Sequence, residues 1–193
     1  MVELYVSEIL SRTNEEKAFI MLLQEKDGMR KLPVMIGPFE AQSIVFAKRN
    51  IQFERPTIHE LFKQFTEACD VKLLHAKIDK IVEGTFYSHL LFTNGSNEIK
   101  IDARTSDAAA IAIRCGAPLY IDDALLNTLC VKEEWDNAIS IPITLAATDM
   151  LHEVMQRAIK DENYELAMKL KQEIDARTAR KEENKNTTND TNN

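Results

Sequence analysis

The sequence predicts an α+β fold: a mixed, mostly antiparallel sheet with packed helices, followed by a C-terminal helical hairpin. Three observations predict it. Apolar runs with strand-like alternation recur between turn residues through residues 1–130. Helically spaced stretches are interspersed among those runs, which implies an α+β domain with a mostly antiparallel or mixed sheet. From Leu145 onward the pattern changes to two helical segments joined by a short polar turn.

Val2–Leu10 and Lys17–Glu25 read as the first two strands. Asp27-Gly28 supplies a turn, and Lys31–Ile36 follows as a short apolar strand. Gly37-Pro38 then breaks the pattern. Glu40–Lys48 carries Ala41, Ile44, Val45 and Ala47 at helical spacing. Thr57–Cys69 is the second helix: Pro56 precedes it, and Thr57 with Glu60 three residues on makes a capping box. Its apolar face is expected to be Leu61, Phe62 and Phe65.

Val71–Val82 reads as a long strand, interrupted at Gly84-Thr85 and followed by a strand from Phe86 to Thr93. Gly84 is expected either to adopt a backbone conformation closed to other residues or to make a bulge. Asn94-Gly95 signals a two-residue hairpin, with Asn97–Ala103 returning. That strand runs through Asp102, Arg104, Thr105, Ser106 and Asp107 into an Ala/Ile-rich helix. Pro118–Ile121 is a short strand, and Asp122 caps a last small helix reaching about Thr128. Leu145–Ile159 and Tyr164–Thr178 form the hairpin.

These elements divide the chain into a domain at 1–130, an exposed linker at 131–142, a helical hairpin at 143–180 and a disordered, Asn/Thr-rich tail at 181–193. Trp135 is placed to staple the hairpin to the domain. The formal net charge is −7, and neither the first 140 residues nor the remainder is basic. That balance disfavours broad, non-specific binding to a phosphate backbone, which Lys and Arg drive. No apolar run approaches the ~18 residues of a membrane span. The acidic start, with two Glu and no Lys or Arg in Met1–Leu10, does not resemble an export signal, so the expected location is the cytoplasm. Cys69, Cys115 and Cys130 contain no C-x-x-C pair; free thiols are expected, with Cys69 and Cys115 in the core.

Two segments concentrate chemistry. In R-P-T-I-H-E-L-F (Arg55–Phe62), His59 is either a surface residue of a well-capped helix or a proton carrier or metal ligand at a site mouth, with Arg55 and with Glu60 or Glu40 nearby. No second His follows at i+4, so this is not a zinc helix. In I-D-A-R-T-S-D (Ile101–Asp107), Arg104 either pairs with Asp102 or Asp107 at the surface or binds a phosphate. In the second case Asp102 and Asp107, with Glu40, are hard oxygen ligands for Mg²⁺ or Mn²⁺, and Ser106 contacts substrate. Metal-bound carboxylates, an activated water and a cation for developing charge are the parts that phosphodiester hydrolysis needs.

L-P-V-M-I-G-P-F-E-A (Leu32–Ala41), R-P-T-I-H-E-L (Arg55–Leu61), G-T-F-Y (Gly84–Tyr87), I-D-A-R-T-S-D-A-A-A-I-A (Ile101–Ala112) and A-P-L-Y-I (Ala117–Ile121) occur in one order. In that order they resemble the bifunctional nuclease domain family, over roughly Met1–Leu129. Thr105 stands where the family usually has Pro, a change to turn rigidity more than to chemistry. The resemblance implies a compact α+β domain, a homo-oligomer and a nuclease acting on RNA and DNA. It carries no assignment of catalytic residues. His59, Arg55 and Arg104 as catalytic groups, Arg104 and Ser106 on substrate, and Asp102, Asp107 and Glu40 on metal are chosen on chemistry. D-E-N-Y-E-L-A-M-K-L-K-Q-E-I (Asp161–Ile174) also resembles the UVR motif of the excision-repair subunits UvrB and UvrC, through Tyr164, Ala167, Leu170 and Ile174. That likeness implies a docking module for a protein partner. The other class of function is a non-enzymatic regulatory protein that binds an anion or a nucleotide at the same strand-to-helix junction.

Overall fold

Alternation and turn chemistry are realised strand by strand in the computed structural model, which describes residues 1–11, 19–130 and 148–189. Seven strands form one sheet in the order β3-β2-β1-β7-β4-β5-β6. In chain order they are β1 (Val2–Ser11), β2 (Phe19–Glu25), β3 (Lys31–Ile36), β4 (Lys72–Val82), β5 (Thr85–Thr93), β6 (Glu98–Arg104) and β7 (Leu119–Ile121). The β1–β2, β2–β3, β1–β7 and β5–β6 pairs are antiparallel, and β4–β7 is parallel. The sheet is therefore mixed and mostly antiparallel.

The chain forms two compact units, one of residues 1–82 and 86–140, the other of residues 83–85 and 141–193. In the first, the helices are α1 (Pro38–Lys48), α2 (Ile58–Ala68), α3 (Thr105–Cys115) and α4 (Asp123–Leu129). Helix α3 is the hub: α1 and α2 both pack on it, and it lies against β4, β6 and β7. Its sequence explains this. Ala108, Ala109, Ala110 and Ala112 are all buried, and side chains that small let neighbouring helices and a sheet approach from several sides. Beneath it, Ala76, Ile78 and Ile121 are fully buried; each such Ile contributes about 1.5–3 kcal/mol over exposure.

Three local devices set the helix positions. Pro38 occupies the first position of α1 after the extended Gly37, where a missing N–H costs nothing. At the other end of α1, Lys48 Nζ donates to the Val6 and Ser7 carbonyls at 2.7 and 2.6 Å. Those carbonyls lie at the irregularity where β1 shifts register between Val6 and Glu8. Burial lowers the Lys48 pKa from its ordinary value. The Glu60 carboxylate accepts from the Thr57 backbone N–H at 2.7 Å, the return half of the expected capping box.

Several expectations change. The apolar face of α2 is largely exposed: Leu61 is 51 % and Phe65 63 % exposed, while Phe62 packs on Phe92 with ring centroids 5.9 Å apart. A helical stripe identifies an apolar face but not what covers it. Cys69 is exposed because it terminates that helix, while Cys115 is half-buried with its thiol pKa raised by burial. The Asn94-Gly95 turn is a four-residue loop, since Thr93 pairs with Glu98. The Asn94 side chain accepts from the Ser96 and Asn97 N–H groups and closes the wider turn. Gly84 has φ 78° and Glu83 φ 51°, the two left-handed positions of a tight β4–β5 turn.

In the second unit, α5 (Thr148–Lys160) and α6 (Tyr164–Asn189) form the hairpin. Leu151, Leu170 and Ile174 make its core, with Val154, Met155 and Leu166 packed around them. Helix α6 continues past the end expected near Thr178, in keeping with the strong helix formers Arg180, Lys181, Glu182 and Glu183. Lys17, the 131–142 linker and Trp135 lie outside the described residues. Among the described residues, no helix is long and apolar enough to cross a membrane.

Candidate active site

One face of each of three helices meets in a cavity of about 530 Å³. Spacing explains the contributions. Phe39, Ser43 and Phe46 recur at three- and four-residue intervals on α1, with Glu40 beside them. Helix α2 brings Ile58, His59 and Phe62, and α3 brings Asp107 and Ile111. The lining mixes apolar side chains with polar groups, of which Glu40, His59 and Asp107 lie in the first turns of their helices and Ser43 lies at the middle of α1. Phe39 (82 % exposed) and Ile58 (72 % exposed) stand at the solvent side.

The polar groups form one chain. Ser43 Oγ lies 2.8 Å from His59 Nδ1, and His59 Nε2 lies 3.1 Å from Asp107 Oδ1. A carboxylate only accepts, so Nε2 carries the hydrogen in the neutral ring and Nδ1 accepts from the Ser43 hydroxyl. Arg104, at the N-cap of α3, donates to Asp107 through Nε at 2.7 Å and Nη2 at 3.2 Å. Its Nη1 pairs with Glu40 Oε1 at 2.8 Å. Burial acts to raise the Asp107 pKa, but the hydrogen bonds and charges of Arg104 and His59 outweigh it and hold the carboxyl below its ordinary value. Arg104 is in turn raised, mainly by its bonds to Asp107. Below this chain, Arg114 donates to the Ala110 and Ser43 carbonyls at 3.0 and 3.1 Å and ties α1 to α3. Burial lowers its pKa.

Of the residues singled out in the sequence, His59, Arg104, Asp107 and Glu40 come together here. Three do not. Arg55 is exposed and does not line the cavity. Ser106 is buried, because the first turn of α3 is pressed into the core beside Thr105, whose hydroxyl meets Ser88 Oγ at 2.6 Å. Asp102 stands opposite His89 in the β5–β6 register and shares that face of the sheet, away from the cavity lining. The three carboxylates expected around a metal ion therefore do not converge. Glu40 and Asp107 are near each other only through the guanidinium that neutralises both. Among the described residues, no group of three or more His, Cys, Asp or Glu is arranged to hold a metal ion. The donor set does not fit a carboxylate cage for Mg²⁺ or Mn²⁺.

Sequence reasoning missed Ser43 and Arg114, for lack of any local signal: Ser43 lies 16 residues from His59 and 71 from Arg114. It also missed a second His–Asp pair. On the sheet, His89 Nδ1 lies 2.6 Å from Asp79 Oδ2, with Lys100 Nζ 3.5 Å from the same oxygen. His75 packs edge-on between His89 and Tyr120. Alternation on β4 places His75 and Asp79 on one face, a signal available in the sequence.

With the geometry in view, comparison with known proteins is informative. The family model described as "Bifunctional nuclease domain" matches residues 21–134. An uncharacterized protein of Mycobacterium tuberculosis is 32% identical over 145 residues, 74% of this chain and 87% of the relative. Bifunctional nuclease 1 of Oryza sativa subsp. indica is 31% identical over 106 residues, 53% of this chain and 32% of that protein. Bifunctional nuclease 1 of Arabidopsis thaliana is 23% identical over 128 residues, 65% of this chain and 39% of that protein. The matched region covers α1, α2 and α3, and so all the residues of the cavity.

Proposed function

The chain belongs to the bifunctional nuclease domain family, and from that membership we propose that it hydrolyses phosphodiester bonds of DNA or RNA in the cavity between α1, α2 and α3. The observation that carries the reading is His59, held between a hydroxyl and a carboxylate at the cavity wall, with Arg104 on the same carboxylate. Asp107 fixes the ring tautomer and stabilises the imidazolium that forms when Nδ1 takes a proton. Arg104 is two-thirds exposed, so its outer edge meets an entering phosphate in the forked geometry that suits a guanidinium. Two carboxylates face one guanidinium here, so recognition rests on that fork and not on a basic groove. That accords with the net charge of −7 and predicts a shallow salt dependence.

Every step is assigned to a side chain, and none to a metal ion. The test is cleavage of single-stranded DNA and RNA by the full chain, with and without EDTA. His59→Gln is expected to lower kcat/KM by about 10²–10⁴-fold with the fold intact by circular dichroism. Wild-type cleavage is expected to persist in EDTA. Complete loss restored by Mg²⁺ or Mn²⁺ would return Glu40 and Asp107 to a ligand role. Full activity in His59→Gln would place the chemistry elsewhere.

We also propose the C-terminal hairpin as a docking module. Of the UVR-like pattern, Leu170 and Ile174 belong to the hairpin's own core, and Ala167 is buried. Ile159, Tyr164 and Met168 are left exposed, apolar surface that the hairpin does not use itself. Removal of the residues after Pro142 is expected to leave a soluble domain with full cleavage activity; an insoluble remainder would make the hairpin structural.

A further inference from the structure

We propose that Ser43 is the nucleophile of this cavity, and that cleavage passes through a phosphoryl group covalently bound to its Oγ. The inference rests on the phosphodiesterase reading of the same site, and its test is built to fail separately from it.

A serine hydroxyl is a weak nucleophile until a base takes its proton, and a base is effective when a third group holds its ring. All three parts are present. Ser43 Oγ is 2.8 Å from His59 Nδ1, and Asp107 Oδ1 is 3.1 Å from Nε2. The ring nitrogens have exchanged the roles they take in familiar serine hydrolases, but such an arrangement is recognised by roles and geometry, not by order along the chain. Asp107 stays ionised because Arg104 pairs with it, so it can stabilise a charged ring. A serine inside a helix commonly bonds back to its own helix. Ser43 bonds across to α2 instead, and does so at the wall of a solvent-open cavity. Helix packing alone requires neither feature. Arg104, on the same carboxylate, is placed to pair with the phosphoryl oxygens.

The step balances without a co-reactant other than water. The Ser43 O–H bond breaks, its proton passes to His59 Nδ1, and Oγ forms a bond to phosphorus. The P–O bond to the leaving alcohol breaks, and that oxygen takes the proton from His59. Water then gives its proton to Nδ1 and attacks phosphorus; the P–Oγ bond breaks and Ser43 recovers its hydrogen.

The experiment treats the full chain with an alkyl fluorophosphonate, in which a serine oxygen displaces fluoride from phosphorus. One adduct per chain is expected, mapped to Ser43 by peptide mass spectrometry and absent from Ser43→Ala. The labelling rate should fall about 10²-fold or more in His59→Gln. A serine that merely positions His59 would show no adduct. Absence of an adduct on Ser43 in wild type overturns the proposal, as does labelling at the wild-type rate in His59→Gln. The wild-type result needs no variant to fold. Nucleic acid cleaved by a chain that takes no label leaves the nuclease reading standing and removes the nucleophile. A labelled Ser43 on a chain that cleaves no nucleic acid does the reverse.

Discussion

Two His–Asp pairs lie among the described residues of the first unit, and they differ in what surrounds them. His59 and Asp107 join two helices at a cavity, with Ser43 on the far ring nitrogen and Arg104 on the far carboxylate oxygen. His89 and Asp79 bridge neighbouring strands at 2.6 Å, closer than the helical pair, and His89 is only 6 % exposed. The tighter pair is the less suited to chemistry. It does not line the cavity between α1, α2 and α3, and among the described residues no hydroxyl partners its other ring nitrogen. A His–Asp contact is therefore not in itself a site: it needs a third group to activate and a volume to receive substrate.

The sharpest way to break this comparison is to delete each histidine in turn. His59→Gln is expected to remove activity by the factor given above while leaving the melting temperature within a few degrees. His89→Gln should do the opposite. It leaves Asp79 without its closest partner, a loss of about 1–3 kcal/mol, and kcat/KM should stay within about twofold of wild type. Calorimetry with kinetics on both variants checks this. Loss of activity in a fully folded His89→Gln would make the sheet pair part of the machinery.

Acid sharpens the contrast in another way. Burial raises the Asp79 pKa, but its bonds to His89 and the charges of His89 and Lys100 prevail, so Asp79, like Asp107, sits below the ordinary 3.8. A depressed carboxylate contributes stability that is present above its unfolded pKa and lost as pH falls through the folded one. Both pairs thus predict a loss of stability below about pH 4. The sheet pair adds an earlier one. His75 lies beneath its ordinary 6.5 through burial first, then through His89 and Lys77, against the opposing pull of Glu98 and Asp79. The unfolded chain takes up that proton before the folded one, so stability falls as pH drops below 6.5. Urea midpoints at pH 7 and pH 5 are expected to differ in wild type and to draw together in His75→Phe. An unchanged difference would place the titration elsewhere.

The two pairs were unequally legible in the sequence. His59, Arg104 and Asp107 were readable because they mark element starts: a capping box, a strand end and a helix first turn are local signals. Ser43 was not, because a serine among Ala41, Gln42 and Ile44 reads as helix and nothing else until α1 and α2 are packed. Asp102 was grouped with Asp107 by proximity along the chain. The alternation of β6 carries its side chain to the face of His89, and that depends on a strand register no local pattern encodes. The sheet order, with β7 inserted between β1 and β4, was likewise illegible: a three-residue strand gives no clue to its neighbours.

The smallest expected effect tests whether Arg104 is shared between its carboxylates and substrate. Gly37 is extended at φ −78°, so its lack of a side chain is not a backbone requirement. A Cβ there would instead stand 2.5 Å from Glu40 Oε2, too close for the carboxylate to stay where it is. Gly37→Ala is therefore expected to push Glu40 off Arg104, at little cost in stability because the Arg104 end of the pair is open to solvent, where an ion pair is worth about 0–1 kcal/mol. The same quantity returns as phosphate affinity, since a competitor 2.8 Å from the guanidinium has gone. KM should fall by roughly 2–5-fold, the equivalent of that energy, with kcat unchanged because His59 and Asp107 are untouched. Glu40→Gln should reproduce the fall by removing the charge without moving the backbone. A rise in KM in both variants would mean that Glu40 orients Arg104 toward the phosphate, and the pairing would then belong to the binding machinery.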